Sequence, residues 1–398
     1  MTVGIILTLC ILVLLAYIFD LTSAKTRIPS VILLLILGYL VRQLSNLLKV
    51  DLLNLQSVLP VLGSIGLVLI VLEGSLELEL DRKKFPLIGK SIYAAIIPVL
   101  LISFILAVVL HYFSGYSFKD CLSNAIPLSV ISSSVAIPSA RHFSVADREF
   151  VIYESSISDI IGVILFNFIT LHTSFGFFTF GSFFVQLFVI ILVSFVAVGG
   201  LSFLLSRLDH QIKFVPIIFL VILIYEVSKL INLPSLVFIL VLGLFLNNLN
   251  HIKHIDFIQQ LKPRLLRREI KRFKEITIEA TFLVRSLFFL VFGYLIHTSE
   301  LLNQQSLVWS VSIIAGIFLI RVIVLKLGKI NLVPLAFIAP RGLITILLFL
   351  SVKPEFQVSL INRSVMIQVI ILSSLLVVAG SLLTKKATVV QNMENPTQ

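Results

Sequence analysis

The sequence predicts an all-α polytopic membrane protein of about 13 transmembrane helices, built as six-helix inverted repeats with broken crossing helices at spans 5 and 12. Three observations predict it. Of 398 residues, 58% are hydrophobic and 13% charged, with a mean hydropathy of +1.11, far outside the range of soluble domains. Apolar stretches of about 17–25 residues recur from end to end, each able to cross roughly 30 Å of hydrocarbon as a helix, and the ten-residue alternation of a membrane β-barrel is absent. Proline and glycine gather in two spans that occupy matching places in the order.

The spans fall at roughly 3–19, 28–47, 56–76, 87–113, 120–140, 149–171, 181–205, 214–230, 233–249, 277–297, 306–327, 331–351 and 364–383. No basic residue precedes the first apolar segment, whereas Lys25 and Arg27 follow it. That reverses the charge order of a signal peptide, so the segment is read as a span. With the N-terminus outside, cytoplasmic segments collect 22 Lys and Arg and external ones 6. Arg285, Arg321 and Arg341 fall inside spans. This bias predicts a cell-membrane protein with a cytoplasmic C-terminus. It also explains the net charge of +11 without nucleic acid, because the cations are scattered among membrane-flanking loops. Cys10 and Cys121 belong to no CxxC or Cys/His cluster, so neither a disulfide framework nor a cysteine metal site is expected.

The long connection, 250–276, is read as a basic cytoplasmic loop. Seven basic residues between Lys262 and Lys274 alternate with Leu265, Leu266, Ile270 and Phe273, the pattern of an amphipathic surface helix on anionic lipids. Residues 385–398 are read as a short polar cytoplasmic tail, and 1–384 as one membrane domain. Thirteen spans divide as six, one and six, pairing spans 1 with 8, 5 with 12 and 6 with 13 in antiparallel sense. Interrupted helices at matching positions of such repeats flag a binding site. Span 5 carries Pro127 and Pro138 around Ser132, Ser133 and Ser134, and span 12 carries Pro334, Pro340 and Gly342.

Span 6 places two acids at bilayer depth, where an ionised group costs on the order of a few kcal/mol unless it faces a polar interior. At a rise of 1.5 Å per residue, Glu154 lies roughly 9 Å from the cytoplasmic end and Asp159 about 7.5 Å deeper, near the midplane. Five residues turn the chain by about 140°, so the two face different neighbours. Ser155 and Gly162 share the face of Asp159 and leave it small and partly polar. Arg321, in span 11, has nearly the depth of Glu154, which suggests a pair; snorkelling toward the interface beside Lys326 is the other reading. Arg341, between Pro340 and Gly342, can hydrogen-bond carbonyls freed where span 12 opens, or contact an ion. Arg285 is grouped with it as helix-break support; by position alone it can also pair with Glu279, snorkel or face the site. No GxSxG, HExxH or phosphate-binding glycine loop is present, and no enzyme chemistry or cofactor is expected.

These residues resemble the monovalent cation:proton antiporter superfamily, which includes the sodium/proton exchangers and the potassium-efflux proteins. Arg27-Ile28-Pro29 followed by Gly38 is similar to the start of the family's helix 2, and Leu72-Glu73-Gly74-Ser75-Leu76-Glu77-Leu78 to the end of its helix 3. Phe288-Phe289 with Gly293, and Arg341-Gly342, are similar to its helix 10 and 12 signatures. The resemblance covers about residues 3–384. It implies that Asp159 is the ion-binding aspartate and that Glu154 pairs with a basic residue on span 11, which falls on Arg321. It further implies a homodimer, with spans 1–3 and 8–10 as scaffold and spans 4–6 and 11–13 as a moving transport domain. Ser158 departs from the Asn of electroneutral exchangers and the Asp of electrogenic ones. Ser132-Ser133-Ser134 look more like the potassium-efflux branch than the Thr-Asp-Pro of sodium exchangers.

The expected function is secondary antiport of H⁺ for Na⁺, K⁺ or Li⁺. Asp159 alternately holds a proton or a monovalent cation, whose oxygen shell Ser158, Ser155, Ser132, Ser133, Ser134 and opened backbone carbonyls complete. One carboxylate favours electroneutral exchange. A channel-like potassium-efflux protein and an organic-anion/Na⁺ symporter, with Arg341 or Arg285 as substrate ligand, are the alternatives.

Overall fold

The computed structural model describes residues 2–26, 28–48, 55, 58–78, 82–171, 181, 185–186, 188–197, 199–200, 214–230, 233, 235–248 and 263–394. Long runs of Leu, Ile, Val and Phe form helices because hydrocarbon offers backbone N–H and C=O groups no partner outside their own segment. In chain order these are α1 (Thr2–Thr26), α2 (Ser30–Leu48), α3 (Val58–Glu77), α4 (Phe85–Ser114), α5 (Phe118–Ser129), α6 (Ser133–Ser139) and α7 (Val145–Leu171). There follow α8 (Phe214–Leu230), α9 (Ser235–Asn248), α10 (Pro263–Tyr294), α11 (Thr298–Leu301), α12 (Gln304–Leu327), α13 (Leu343–Ser351) and α14 (Arg363–Glu394). No strand occurs among the described residues.

Eight helical segments among the described residues are long and apolar enough to cross a bilayer, fewer than the thirteen expected. Two expected spans become shorter elements, α9 with 14 residues and α13 with nine, while α8, with 17 residues, occupies the expected 214–230. The expected span 181–205 lies partly outside the described residues, within which Phe188–Ala197 is a short apolar helix.

Two boundaries differ from the sequence reading. The surface helix at 262–274 and the span at 277–297 are one continuous helix, α10, of 32 residues, about 48 Å long. No glycine or proline occurs between Arg264 and Phe292 to stop it. Within it Arg268, Lys271 and Arg272 are exposed while Ile270 and Phe273 are buried; Lys262 and the rest of 250–262 lie outside the described residues. At the C-terminus α14 continues to Glu394, because the stretch read as a tail again contains no helix breaker as far as Glu394; residues 395–398 lie outside the described residues. Span 12 is interrupted, as expected from Pro334, Pro340 and Gly342. It consists of a 3-10 turn (Leu335–Phe337), an extended stretch and then α13.

The chain forms two compact units, one of Met1–Gly63, Ile88–Gly162 and Arg285–Gln398, the other of Ser64–Leu87 and Val163–Val284. In the second, α8 packs on α9, the amides of Asn247 and Asn248 donate to Leu78 O at 3.1 and 2.9 Å, and Thr281 Oγ1 donates to Leu69 O at 3.3 Å. In the first, α12 lies along α14, and α2 crosses α10 backbone to backbone. A Cβ on Gly38 would stand 2.2 Å from Leu290 O, and one on Gly293 would stand 2.4 Å from Leu35 O. These are main-chain atoms that cannot rotate away. Gly38→Ala is therefore expected to destabilise the protein by about 1–3 kcal/mol through overpacking, read as a lower thermal midpoint in detergent. Gly89→Ala, with no described residue beyond its helix neighbours within 4 Å of its Cβ, is the control and should be neutral or slightly stabilising through helix propensity.

Candidate functional site

The site lies within the first unit, where α5 and α6 are separated by the extended residues Val130–Ser132. The interruption does not fall at a proline, since Pro127 and Pro138 sit inside α5 and α6. It falls where serine hydroxyls and neighbouring chains offer the backbone other partners. Ile131 N–H donates to Ser158 Oγ at 3.0 Å, and Ser132 N–H donates to Pro340 O at 2.9 Å. The second of these bonds joins the two interrupted segments directly.

Asp159, 1% exposed, faces the start of α6. The backbone N–H of Ser133 donates to its Oδ2 at 3.1 Å and the Ser133 hydroxyl donates to the same oxygen. The first N–H groups of a helix carry partial positive charge, so the carboxylate complements this end of α6. Its other oxygen, Oδ1, is buried with no hydrogen-bond partner among the described residues, which is uncommon for a buried polar atom. Gly162, one turn further along α7, lets the helix lie against the break: a Cβ there would stand 2.2 Å from Val130 Cγ2.

The structure brings together only part of the oxygen set expected from sequence. Ser133 reaches Asp159. Ser155 Oγ turns back onto Val151 O at 2.7 Å, Ser132 and Ser134 bond each other at 2.9 Å, and Ser158 Oγ holds the Ile131 amide. Helical phase does place Ser155 on the Asp159 side of α7, but a serine hydroxyl inside a helix readily takes the carbonyl four residues back.

Glu154 and Arg321 form a bidentate pair, with Nη1 donating to Oε1 at 2.8 Å and Nη2 to Oε2 at 2.9 Å; both side chains are almost fully buried. Arg321 Nε donates to Leu335 O at 2.8 Å. The guanidinium thus ties α7 and α12 to the 3-10 turn of the second interrupted segment, and its planar fork matches the carboxylate.

Arg341 is fully buried, and all three of its nitrogens are committed to carbonyls. Nε donates to Leu128 O at 2.7 Å, Nη2 to Ser129 O at 3.2 Å and Nη1 to Ala339 O at 2.7 Å. Leu128 and Ser129 end α5, whose last carbonyls lack partners within the helix, so Arg341 supplies hydrogen bonds and positive charge where partial negative charge collects. Its own N–H donates to Ser373 Oγ at 2.9 Å. Ser373 was missed by sequence reasoning; the signal was a polar Ser373-Ser374 pair within an apolar span. Arg285 does not join this break. Its Nη2 lies 3.9 Å from Asp20 Oδ1, a partner that residue spacing could not indicate because Asp20 reads as the end of the first apolar run.

Two interrupted segments crossing beside a buried carboxylate, in an all-helical chain with many apolar spans, are the architecture of a secondary transporter. Residues 10–387 match the family model described as the transmembrane sodium/hydrogen exchanger. The chain belongs to this family, and it is a multi-pass membrane protein whose transport class is cation:proton antiport. Among solved structures it is similar to the sodium proton antiporter MjNhaP1 from Methanocaldococcus jannaschii at pH 8, with 17% identity and a TM-score of 0.71 over 95% of this chain and 100% of that one. It is also similar to a structure of that antiporter from electron microscopy, with 16% identity and a TM-score of 0.68 over 97% and 96% of the two chains. At these identities the likeness is one of fold. None of the curated proteins matches the chain.

Proposed function

We propose that the chain exchanges H⁺ for Na⁺, or for the related K⁺ or Li⁺, with Asp159 as the one site that proton and cation occupy in turn. The observation that carries this reading is the unpartnered Oδ1 of Asp159 beside the crossing. A bare carboxylate buried there is unstable unless a proton or a cation neutralises it. Asp159 and the Ser133 hydroxyl supply the first oxygens of the shell, and carbonyls of the opened segments supply the rest. Exposure of this site to each side in turn couples the two fluxes.

Electroneutral 1:1 exchange follows from a single carboxylate. Ser158 is neutral and occupied with the Ile131 amide; Glu154 is neutralised by Arg321. An organic-anion symporter is disfavoured, because Arg341 is committed to three carbonyls and Arg285 faces Asp20. The family resemblance supports a homodimer in which spans 4–6 and 11–13 move against spans 1–3 and 8–10, and the Lys and Arg bias of the loops supports an outside N-terminus. The exposed Arg268, Lys271 and Arg272 suit anionic lipid headgroups.

The test is a cation screen in proteoliposomes loaded with a pH dye, with and without an imposed membrane potential. A Na⁺ gradient is expected to drive a pH change whose rate does not respond to the potential. A rate that follows the potential refutes 1:1 exchange, and cation flux without any pH change refutes antiport.

A further inference from the structure

A carboxylate in the same unit, Asp20, gathers two guanidinium groups and a serine hydroxyl. Asp20, in α1, has its side chain 17% exposed. Its Oδ2 lies 3.3 Å from Arg141 Nη1, its Oδ1 lies 3.9 Å from Arg285 Nη2, and Ser30 Oγ donates to Oδ1 at 3.4 Å. Four elements meet at one carboxylate: α1 itself, α2 through Ser30, α10 through Arg285, and the 3-10 turn Ala140–His142 through Arg141. That turn ends α6. The start of α6 is Ser133, whose amide and hydroxyl hold Asp159. Asp20 therefore grips the far end of a half-helix only seven residues long, about 10 Å from the end that touches the exchanging carboxylate.

Among the described residues, the two cations around Asp20 are not equivalent. The Arg285 side chain is 9% exposed and that of Arg141 is 42% exposed. If α6 withdraws from Asp20, Arg141 carries its charge into water and Arg285 remains to neutralise the acid. Buried pairs are hard to open because the partner left behind is uncompensated. Here the pair with Arg141 can open and reform with no such orphan.

We propose that Asp20 is a positioning residue for the exchange reaction. Its pair with Arg141 holds the remote end of α6 in one access state and is released in the other, with Arg285 as the standing counter-charge. This rests on the alternating-access reading of the Asp159 site.

The test compares Arg141→Ala, Arg141→Lys, Asp20→Asn and the double variant Asp20→Asn/Arg141→Ala. In proteoliposomes, initial exchange rates give the Na⁺ KM separately on each side of the membrane. Independently, Ser139→Cys in a background of Cys10→Ala and Cys121→Ala reports access to α6 through its labelling rate with a membrane-impermeant maleimide. Ser139 is 8% exposed and stands two residues before Arg141. A pair at this exposure contributes a factor of about two to five. Arg141→Ala, which truncates an exposed side chain, should raise labelling by about that factor and shift KM on the two sides in opposite directions. Lysine should restore both, Asp20→Asn should reproduce the change, and the double variant should add nothing further. Wild-type labelling and KM in Arg141→Ala, or additive effects of the two single variants, overturns the proposal. Labelling needs no transport and is repeated with Asp159→Asn present. A response to Arg141→Ala there, with exchange retained by Asp159→Asn, would refute the site assignment and not the latch; no response, with exchange abolished by Asp159→Asn, would refute the latch alone.

Discussion

Asp159→Asn, purified and reconstituted, is expected to reduce cation-driven pH change to that of protein-free vesicles while leaving the protein folded. Asparagine has the same shape, and its carbonyl oxygen can accept from the Ser133 amide and hydroxyl as Oδ2 now does, so the crossing is retained. What it lacks is the charge that attracts a cation and the proton that leaves in exchange. The amide also removes the reason for an occupant at Oδ1, now buried without a partner, since a neutral group at that depth is already the cheaper species. The measurement pairs initial rates with a thermal midpoint in detergent. Exchange retained in a folded Asp159→Asn protein would remove this residue from the mechanism.

Glu154→Gln is expected to act in the opposite way, on stability and not on ion handling. Arg321 is fully buried and its fork is matched by both oxygens of Glu154. Removing one partner of such a pair costs about 3–5 kcal/mol, because the remaining charge is left in low dielectric. Glutamine keeps one acceptor for the guanidinium, which places the loss toward the lower end of that range. The thermal midpoint should fall clearly while the Na⁺ KM of the surviving protein stays unchanged. Glu154→Gln/Arg321→Met should recover most of the loss, since an apolar replacement of a whole buried pair is often neutral. A stable Glu154→Gln protein with a shifted KM would instead place Glu154 in the ion site.

Much of this site is legible in one dimension because helical geometry converts sequence separation into depth and angle. A separation of five positions from Glu154 to Asp159 suffices to send them to different neighbours, and equal depth suffices to suggest Arg321 for the first. Hydroxyl orientation is not legible in this way. Ser132, Ser133, Ser134, Ser155 and Ser158 look equivalent as oxygen donors, yet only Ser133 reaches Asp159 while the others satisfy Val151 O, Ile131 N–H or one another. A serine rotor has several acceptors within reach, and the surrounding backbone selects among them.

The sequence by itself determined the membrane setting, the all-helical class and the placing of carboxylates and guanidinium groups within apolar runs, because transfer into hydrocarbon penalises every exception to apolarity and makes each one informative. Tertiary structure decided where the helices stop. Span 5 opens between its prolines because Ser158 and Pro340 offer its amides partners, and α10 runs on through a segment that composition assigns to a separate surface helix. Tertiary structure also decided which charge meets which: Arg341 the carbonyls at the end of α5, and Asp20 both Arg141 and Arg285. Such pairings join residues more than a hundred positions apart, and only the packing of helices brings them within a few ångströms.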